Sequence, residues 1–481
     1  MLSWESMHSI AIGGIAPHVS ELSAALVRKG HEVHVYTRVG EGQTHYSLAD
    51  DVHYHRCPFD MTSDFVASMD RMCDSFVWHM AETEHYVGGS FDVIHGHDWL
   101  TGRALVRMKN ERTRSVVMTV HSTEFGRCGN SVWEDDLSRR IRNAEWEGTF
   151  VADRVICVSK TLGEEVKTLY NVPQEKLFCI YNGVDASKFD PPVNVSKTRS
   201  EVGVGADDPM VLFAGRLTWQ KGPDILIDAI PGVLEANPRT KFVYAGDGDM
   251  REGLEERATS SGIAKSTRFL GYRKGKELVS LFKSADVVCV PSRNEPFGIV
   301  ILEAWSATKP VVATNIGGPK EFVHHRYNGL TSDAVGEQIS DNVNILIDDR
   351  DKAMEMGRNG RREVVNKFSW EGAAVATEGV YRSLYQQEAE GGASVEEPDM
   401  AKRTGTTGGT NGKTAVMKAR SATVRETLAS LDPTHDEIKA RAFQIYLARN
   451  GKPGDSAADW LQAERELRAE KAKGATKRAA K

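Results

Sequence analysis

A chain of 481 residues that is 40% hydrophobic is long enough for about three domains of ~150 residues each, and its formal charge of −6 argues against general nucleic-acid binding. Its six cysteines (Cys57, Cys73, Cys128, Cys157, Cys179, Cys289) form no C-x-x-C pair, and Cys157 and Cys289 sit inside apolar runs, as reduced core residues of a cytoplasmic protein would. No apolar window of about 18 residues and no signal peptide is present, since charge arrives at Glu5, so no transmembrane segment is expected.

The first clear element opens at Gly13-Gly14. Val19, Leu22, Leu26 and Val27 recur on one helical face, the helix ends at Lys29-Gly30, and a strand follows from Glu32 to Thr37. A glycine pair at a helix N-terminus lets backbone amides approach a diphosphate, although the same pair can serve as a mere turn. A second strand ends in His95-Gly96-His97-Asp98-Trp99. The His-x-His-Asp run could ligate a metal, but no fourth ligand is sensibly spaced nearby; packing for His95 and cleft lining for Asp98 and Trp99 fit better. Val116 to Val120 leads into His121-Ser122-Thr123, and Arg154 to Val158 and Leu177 to Ile180 complete a first sheet. Asn182-Gly183 then offers a left-handed turn.

From Val211 the chain alternates strand and helix: Val211 to Ala214, a helix from Ile225 to Ala236, Phe242 to Ala245, a helix after Met250, Thr267 to Leu270, Ala285 to Val290, and on to Thr314. That rhythm predicts a parallel, doubly wound sheet. Three of its strand ends carry chemistry: Gly215-Arg216-Leu217-Thr218-Trp219-Gln220-Lys221-Gly222, the stretch from Pro291 to Ala304 with Glu295 and Glu303, and Ile316-Gly317-Gly318-Pro319-Lys320-Glu321. Open parallel sheets bind ligands at this edge, where fresh helix N-termini offer unpaired N–H groups. Asp247-Gly248-Asp249 follows another strand and reads as a turn rather than a metal site.

Together these motifs resemble the retaining nucleotide-sugar glycosyltransferases of the GT-B fold, specifically glycosyltransferase family 4, over about residues 1 to 385. The resemblance implies an α/β protein with two doubly wound Rossmann-like domains facing a cleft. An acceptor domain would span 1–181 and a nucleotide-sugar domain 182–368, with a crossover helix over 369–386. Leu2-Ser3-Trp4-Glu5 would close the first strand, which is clipped here or begins upstream. Donor binding would fall to Gly13, Gly14, Arg216, Lys221, Glu295, Phe297, Gly298, Ile299 and Glu303. Arg216 and Lys221 would neutralise the departing diphosphate, Glu295 would hold the sugar, Glu303 the ribose hydroxyls, and Phe297 and Gly298 would offer backbone amides. His121 would reach the transferred sugar, and with Arg216, Lys221 and Glu295 makes up the catalytic set. Asp98 and Trp99 would line the acceptor cleft. No covalent nucleophile stands out, so configuration would be retained, with no cofactor and no metal. Nucleotide sugar and glycan acceptor are the expected partners. Some relatives carry a lysine just before the Gly-Gly loop, which this chain lacks. Leu217 to Gly222 with His97-Asp98-Trp99 looks closest to the glycogen and starch synthase branch, hence α-glucan elongation. An envelope or lipopolysaccharide transferase, and a non-catalytic sugar-nucleotide scaffold, are the rivals; an epimerase or phosphorylase fits the Arg/Lys loop less well.

Residues 387–431 turn to Gly, Thr, Lys and Ala and read as a disordered basic linker. Within it Gly408-Gly409-Thr410-Asn411-Gly412-Lys413-Thr414 fails as a phosphate loop, because Thr407 stands where the first glycine belongs and no strand precedes it. Residues 432–470 regain helical spacing, and Asp459-Trp460-Leu461-Gln462-Ala463-Glu464 resembles the signature of a small bacterial helical family of unknown function. So small a unit buries little core, which makes it a candidate docking element for a protein partner. Residues 471–481 form a basic tail.

Overall fold

The computed structural model describes residues 1–391, together with 433, 437–438, 441, 444–445, 448 and 462–471. The linker beyond 391, Trp460 and Leu461, and the tail after 471 lie outside the described residues.

The first half runs α1 (Ile15–Arg28), β1 (His34–Arg38), β2 (Tyr46–Ala49), β3 (Val52–Cys57), α2 (Phe65–Val87), β4 (Ile94–His97), α3 (Gly102–Arg112), β5 (Val116–Val120), a short α4 (Glu124–Arg127), α5 (Asp136–Val151), β6 (Arg154–Cys157), α6 (Lys160–Tyr170) and β7 (Leu177–Cys179). β5 and β6 are buried at every position, as strands covered by helices on both faces must be. Two sheets, β1-β3-β2 and β4-β5-β6-β7, are joined by a single residue. Leu2 makes parallel bridges to Tyr36 and to Gly96, its N–H donating to His95 O at 2.8 Å while Ser3 N–H donates to Tyr36 O at 3.0 Å. Leu2 thus splices the two sheets where the first strand was expected, and among the described strands of this half β2 runs antiparallel to its neighbour.

The second half runs α7 (Val195–Glu201), β8 (Met210–Ala214), α8 (Pro223–Ala236), β9 (Lys241–Ala245), α9 (Arg251–Ser260), β10 (Thr267–Gly271), α10 (Gly275–Ser284), β11 (Val287–Val290), α11 (Ile299–Ser306), β12 (Val311–Thr314), α12 (Pro319–Phe322), β13 (Leu330–Ser332), α13 (Gly336–Asp348), α14 (Arg350–Lys367) and α15 (Trp370–Gly391). Its six strands are ordered β10-β9-β8-β11-β12-β13, all parallel. Asp247-Gly248-Asp249 is a turn after β9: Leu217 N–H donates to Asp247 O at 2.8 Å, Arg251 N–H closes on Gly248 O, and the Arg251 guanidinium pairs with Asp247.

Ser369 caps α15, which returns to the first lobe and runs past the expected end at residue 386. Trp370, Ala374, Val380 and Leu384 share a core with Leu22 and Leu26 of α1. Arg154 clamps the returning helix, donating to Ser383 Oγ at 3.0 Å and Ser383 O at 2.9 Å. The crossing itself differs from expectation, because neither Asn182 nor Gly183 is left-handed. Gly183 is needed for closeness instead: a Cβ there would stand 2.5 Å from Trp370 N. Asn182 is buried and turns its amide oxygen to His18 Nδ1 at 2.6 Å.

Candidate functional site

In the second lobe three strand-to-helix loops lock around Glu295. Gly222, at φ 65°, lets the first loop pass so close to the second that a Cβ would meet Pro291 O at 2.2 Å. Gln220 O accepts from Arg293 N–H and Asn294 N–H at 2.9 and 3.3 Å. Gly318 N–H donates to Glu295 O at 2.8 Å, and a Cβ on Gly317 would lie 2.0 Å from that same oxygen. The glycines of the Gly317-Gly318 loop are thus a seat for the Glu295 backbone. The Glu295 carboxylate is buried, accepts from Lys221 Nζ at 2.9 and 2.8 Å, and takes a third hydrogen bond from Ser292 Oγ at 3.0 Å.

Arg216 is exposed at the same edge and, among the described residues, makes no ion pair or side-chain hydrogen bond. Gly298, at φ 100°, caps α11; Ile301 N–H donates to Gly298 O at 2.9 Å, and the Ile299 and Val300 N–H groups before it have no partner within the helix. Phe297 packs its ring among Tyr181, Phe322 and Phe368, so it has only backbone to offer a ligand. Glu303 stands one turn into α11, half-buried and without a hydrogen bond or ion pair among the described residues. Its recess pushes the carboxyl up to about 7, burial outweighing the opposing charge of Lys188.

The first lobe supplies the facing wall. A Cβ on Gly14 would sit 3.5 Å from Ile299 Cδ1, so the Gly-Gly loop and the start of α11 meet across the cleft. Gly13 is less free than its sequence suggests, because Glu5 Oε2 already accepts from Ile12 N–H at 2.6 Å and Gly13 N–H at 2.8 Å. The amide expected to meet a diphosphate therefore organises its own loop. Glu5 had no motif to mark it.

His121 follows β5, with Nε2 at 3.2 Å from His97 Nδ1, and burial lowers its imidazole to about 3, leaving it neutral. His18 packs edge-on against it at 4.5 Å, and one ring nitrogen from each of His18, His97 and His121 lies within 4.8 Å of the others. Asp98 and Trp99 do not line the cleft. The Asp98 carboxylate is 5% exposed and accepts the His121 N–H at 2.6 Å, which makes it the brace of the His121 loop; Trp99, 6% exposed, fills the core edge-on to Phe65. Behind Asp98, Arg127 bridges Glu124 and Glu145. Burial raises Asp98 to about 6 and Glu145 to about 7, with Arg127 opposing both. His95 packs as expected, bonded to Thr119 Oγ1 and Tyr381 OH at 2.7 Å each.

Among the hydrogen bonds that cross between the lobes, those of Glu321 and Asn294 lie beside the cleft. Glu321, from the Gly-Gly-Pro-Lys-Glu loop, accepts from Thr161 N–H and Oγ1, each at 2.7 Å, from Lys160 N–H at 3.1 Å and from Tyr181 OH at 2.8 Å. It thereby caps α6 of the opposite lobe. Asn294 Nδ2 donates to Asn130 Oδ1 at 2.7 Å. Glu321 and Asn294 fall in loops the sequence singles out, but nothing there marks them as contacts to the other lobe.

Two doubly wound, largely parallel sheets, a returning C-terminal helix and a glycine-lined cleft between the lobes define a glycosyltransferase of the GT-B fold. Residues 12–188 match the family described as Glycosyltransferase Family 4, residues 194–363 match Glycosyl transferases group 1, and residues 433–469 match a protein family of unknown function, DUF2934. An uncharacterized glycosyltransferase of Methanocaldococcus jannaschii, MJ1607, is 38% identical over 79% of this chain and 97% of its own length. A glycogen synthase of Mycobacterium tuberculosis is 30% identical over 79% of this chain and 93% of its own. Among solved structures, Anabaena Alr3699/HepE in complex with UDP-glucose superposes with a TM-score of 0.62 at 23% identity, over 80% of this chain and 99% of that one. The chain belongs to glycosyltransferase family 4. Among its described residues no helix is long and apolar enough to cross a membrane.

Proposed function

We propose that this enzyme moves a hexose from a nucleoside diphosphate sugar to a hydroxyl acceptor with retention of configuration, and that the acceptor is an α-glucan. The carrying observation is the bidentate Lys221–Glu295 pair at the sheet edge, beside an unpaired Arg216 and an unpaired Glu303. Arg216 and Lys221 neutralise the diphosphate as it leaves, the first by forked hydrogen bonds and the second as a point charge. Glu295 orients the sugar hydroxyls, His121 approaches the sugar from the other lobe as a neutral imidazole, and Glu303 accepts the ribose hydroxyls. The first-turn amides of α11 and Gly14 complete the donor cradle. Catalysis is then positioning and charge stabilisation, with no metal step. The glycogen synthase relative supports a glucan acceptor, and the UDP-glucose complex of the Anabaena protein supports a nucleoside diphosphate glucose, UDP- or ADP-linked, as donor.

A screen of ADP-glucose, UDP-glucose and GDP-mannose against glucan and lipid-linked acceptors, run with and without chelator, tests this. Transfer from ADP- or UDP-glucose to glucan, with the α-linkage of the donor kept and chelator harmless, is the expected result. Strong transfer from GDP-mannose to lipid with none to glucan rejects the acceptor, an inverted product rejects the stereochemistry, and activity that needs added magnesium or manganese rejects the metal-free site.

A further inference from the structure

The first lobe carries a recess of its own, between α2, α3 and α5, which pack against one another. It encloses about 210 Å³, and no residue of the donor cradle lines it. Its lining comes from the opening turns of α2, which follows β3, and from the turn that joins β4 to α3. The recess therefore lies toward the carboxyl edge of the sheet, where open parallel sheets bind ligands and where His121 leaves β5.

Two kinds of wall meet there. Met69 and Trp99, both buried, make an apolar floor with Leu100, and the Trp99 ring is held edge-on to Phe65 at 5.8 Å. Asp70, Arg103, Arg140, Asn143 and Glu147 supply a polar rim. Both arginines are already engaged: Arg103 Nη1 donates to Glu147 Oε2 at 3.4 Å, and Arg140 Nη1 to Asp64 Oδ2 at 3.0 Å. Asp70 and Asn143 differ, because neither side chain makes a hydrogen bond or ion pair among the described residues. Burial lifts the Asp70 carboxyl above its usual range against the pull of Arg103, the sign of a carboxylate that has given up part of its water without gaining a partner.

The charges on the rim cancel, Asp70 and Glu147 against Arg103 and Arg140, so no surplus remains to hold a phosphate or a metal ion. An unpaired carboxylate that accepts and an unpaired amide that both donates and accepts, set above an apolar floor, match a neutral pyranose. Its hydroxyls do both, and its C–H face packs on an aromatic and aliphatic surface. The volume falls below the ~300–1,000 Å³ of sites that enclose drug-sized ligands, which suits one ring with the rest of a chain outside.

We propose, on the reading that the acceptor is a glucan, that this recess anchors one hexose unit of the acceptor away from its reacting end, with Asp70 and Asn143 holding the hydroxyls. A chain that reaches both the recess and the cleft makes its second contact within one complex, so affinity rises with chain length and the chemistry is untouched. Asp70 and Asn143 are thereby positioning residues that set a preference for long acceptors.

The test uses the full chain, with maltose and maltoheptaose as acceptors and as calorimetric titrants. In the wild type the KM for maltoheptaose should lie about tenfold or more below that for maltose. Asp70→Ala and Asn143→Ala, both at exposed, unpaired positions that leave the fold alone, should each raise the maltoheptaose KM about fivefold or more and weaken its calorimetric binding in parallel, with kcat and donor KM held. Equal KM for the two sugars in the wild type overturns the proposal, as does a chain-length advantage that survives both variants. A wild type that transfers to no glucan yet binds maltoheptaose through Asp70 and Asn143 would reject the proposed acceptor reaction and leave the subsite standing, whereas one that binds no maltoheptaose rejects the subsite.

Discussion

Lys221 Nζ lies 2.9 Å from one carboxylate oxygen of Glu295 and 2.8 Å from the other, although the two side chains come from different loops, 74 residues apart. Each holds the other where a donor would bridge them, the cation beside the diphosphate and the carboxylate beside the sugar. Burial makes the pair interdependent, since removing either partner leaves the other charged and enclosed.

Truncating the two acidic residues should therefore separate turnover from binding. Glu295→Ala is expected to lower kcat, because the proposed role of Glu295 is at the reacting sugar, and Glu303→Ala is expected to raise the donor KM. A lost hydrogen bond to a charged group is worth roughly 1.5–3 kcal/mol, so each effect should be ~10- to 100-fold. Steady-state kinetics with varied donor checks this, and normal constants in both variants would remove the site assignment.

Donor affinity should also depend on pH through Glu303. Its carboxyl is raised to about 7, so below that pH it holds a proton and accepts poorly from ribose hydroxyls. Donor KM should fall as pH rises from about 6 to about 8 and then level. Because the folded state holds this proton where the unfolded chain has lost it, the same group costs stability as pH rises through the window from about 4.5 to about 7. Glu303→Gln should flatten the KM profile; a profile unchanged in that variant would assign the titration elsewhere.

How much of this could be read from the chain varies with the kind of signal. Parallel strands announce themselves as short apolar runs, and the observed ends of β5, β8 and β12 fall within a residue of those expected. The three second-lobe loops were legible because glycine is required where backbones nearly touch, as at Gly222 and Gly317. What failed needed the third dimension. Asp98 and Trp99 sit at a strand end, yet one braces the His121 amide and the other fills a core gap. Asn182-Gly183 has the letters of a left-handed turn, but the pressure on it is the backbone of Trp370. Glu5 and Glu321 act on partners 8 and 160 residues away respectively; Glu321 stands in a loop the sequence singles out, but no local pattern points either residue to its partner.

Glu321 should set how firmly the lobes close. Hydrogen bonds from Thr161, Tyr181 and Lys160 overcome the upward push of burial and hold its carboxyl below the usual range, the mark of a carboxylate favoured as an anion at the N-terminus of α6. Glu321→Ala should enlarge the radius of gyration seen by small-angle X-ray scattering and raise donor KM several-fold, with kcat less affected. An unchanged radius together with an unchanged KM would show that closure rests on other contacts, such as Asn130 with Asn294.

The C-terminal module should be dispensable for chemistry. Ile438 and Ala463 are buried against Tyr86, near the end of α2, with Ile445 and Leu467 beside them. The module's charged side chains pair with one another: Arg441 contacts Glu466 and Glu470 at 3.1 and 3.0 Å, and Lys471 meets Glu437 at 2.7 Å. Among the described residues few apolar side chains form this seat, and exposed ion pairs add little to it, so the module is expected to dock and release. Tyr86 lies on a helix that contributes no residue to the donor cradle. A chain ending at Gly391 keeps all of α15 and should transfer sugar to a soluble acceptor at the full-length rate. Tyr86→Ser in the intact chain should leave transfer unchanged while speeding proteolysis of residues 432–470. A folded, shortened enzyme that has lost transfer to its standard acceptor would instead make the module part of the catalytic apparatus, with Tyr86 as its point of attachment.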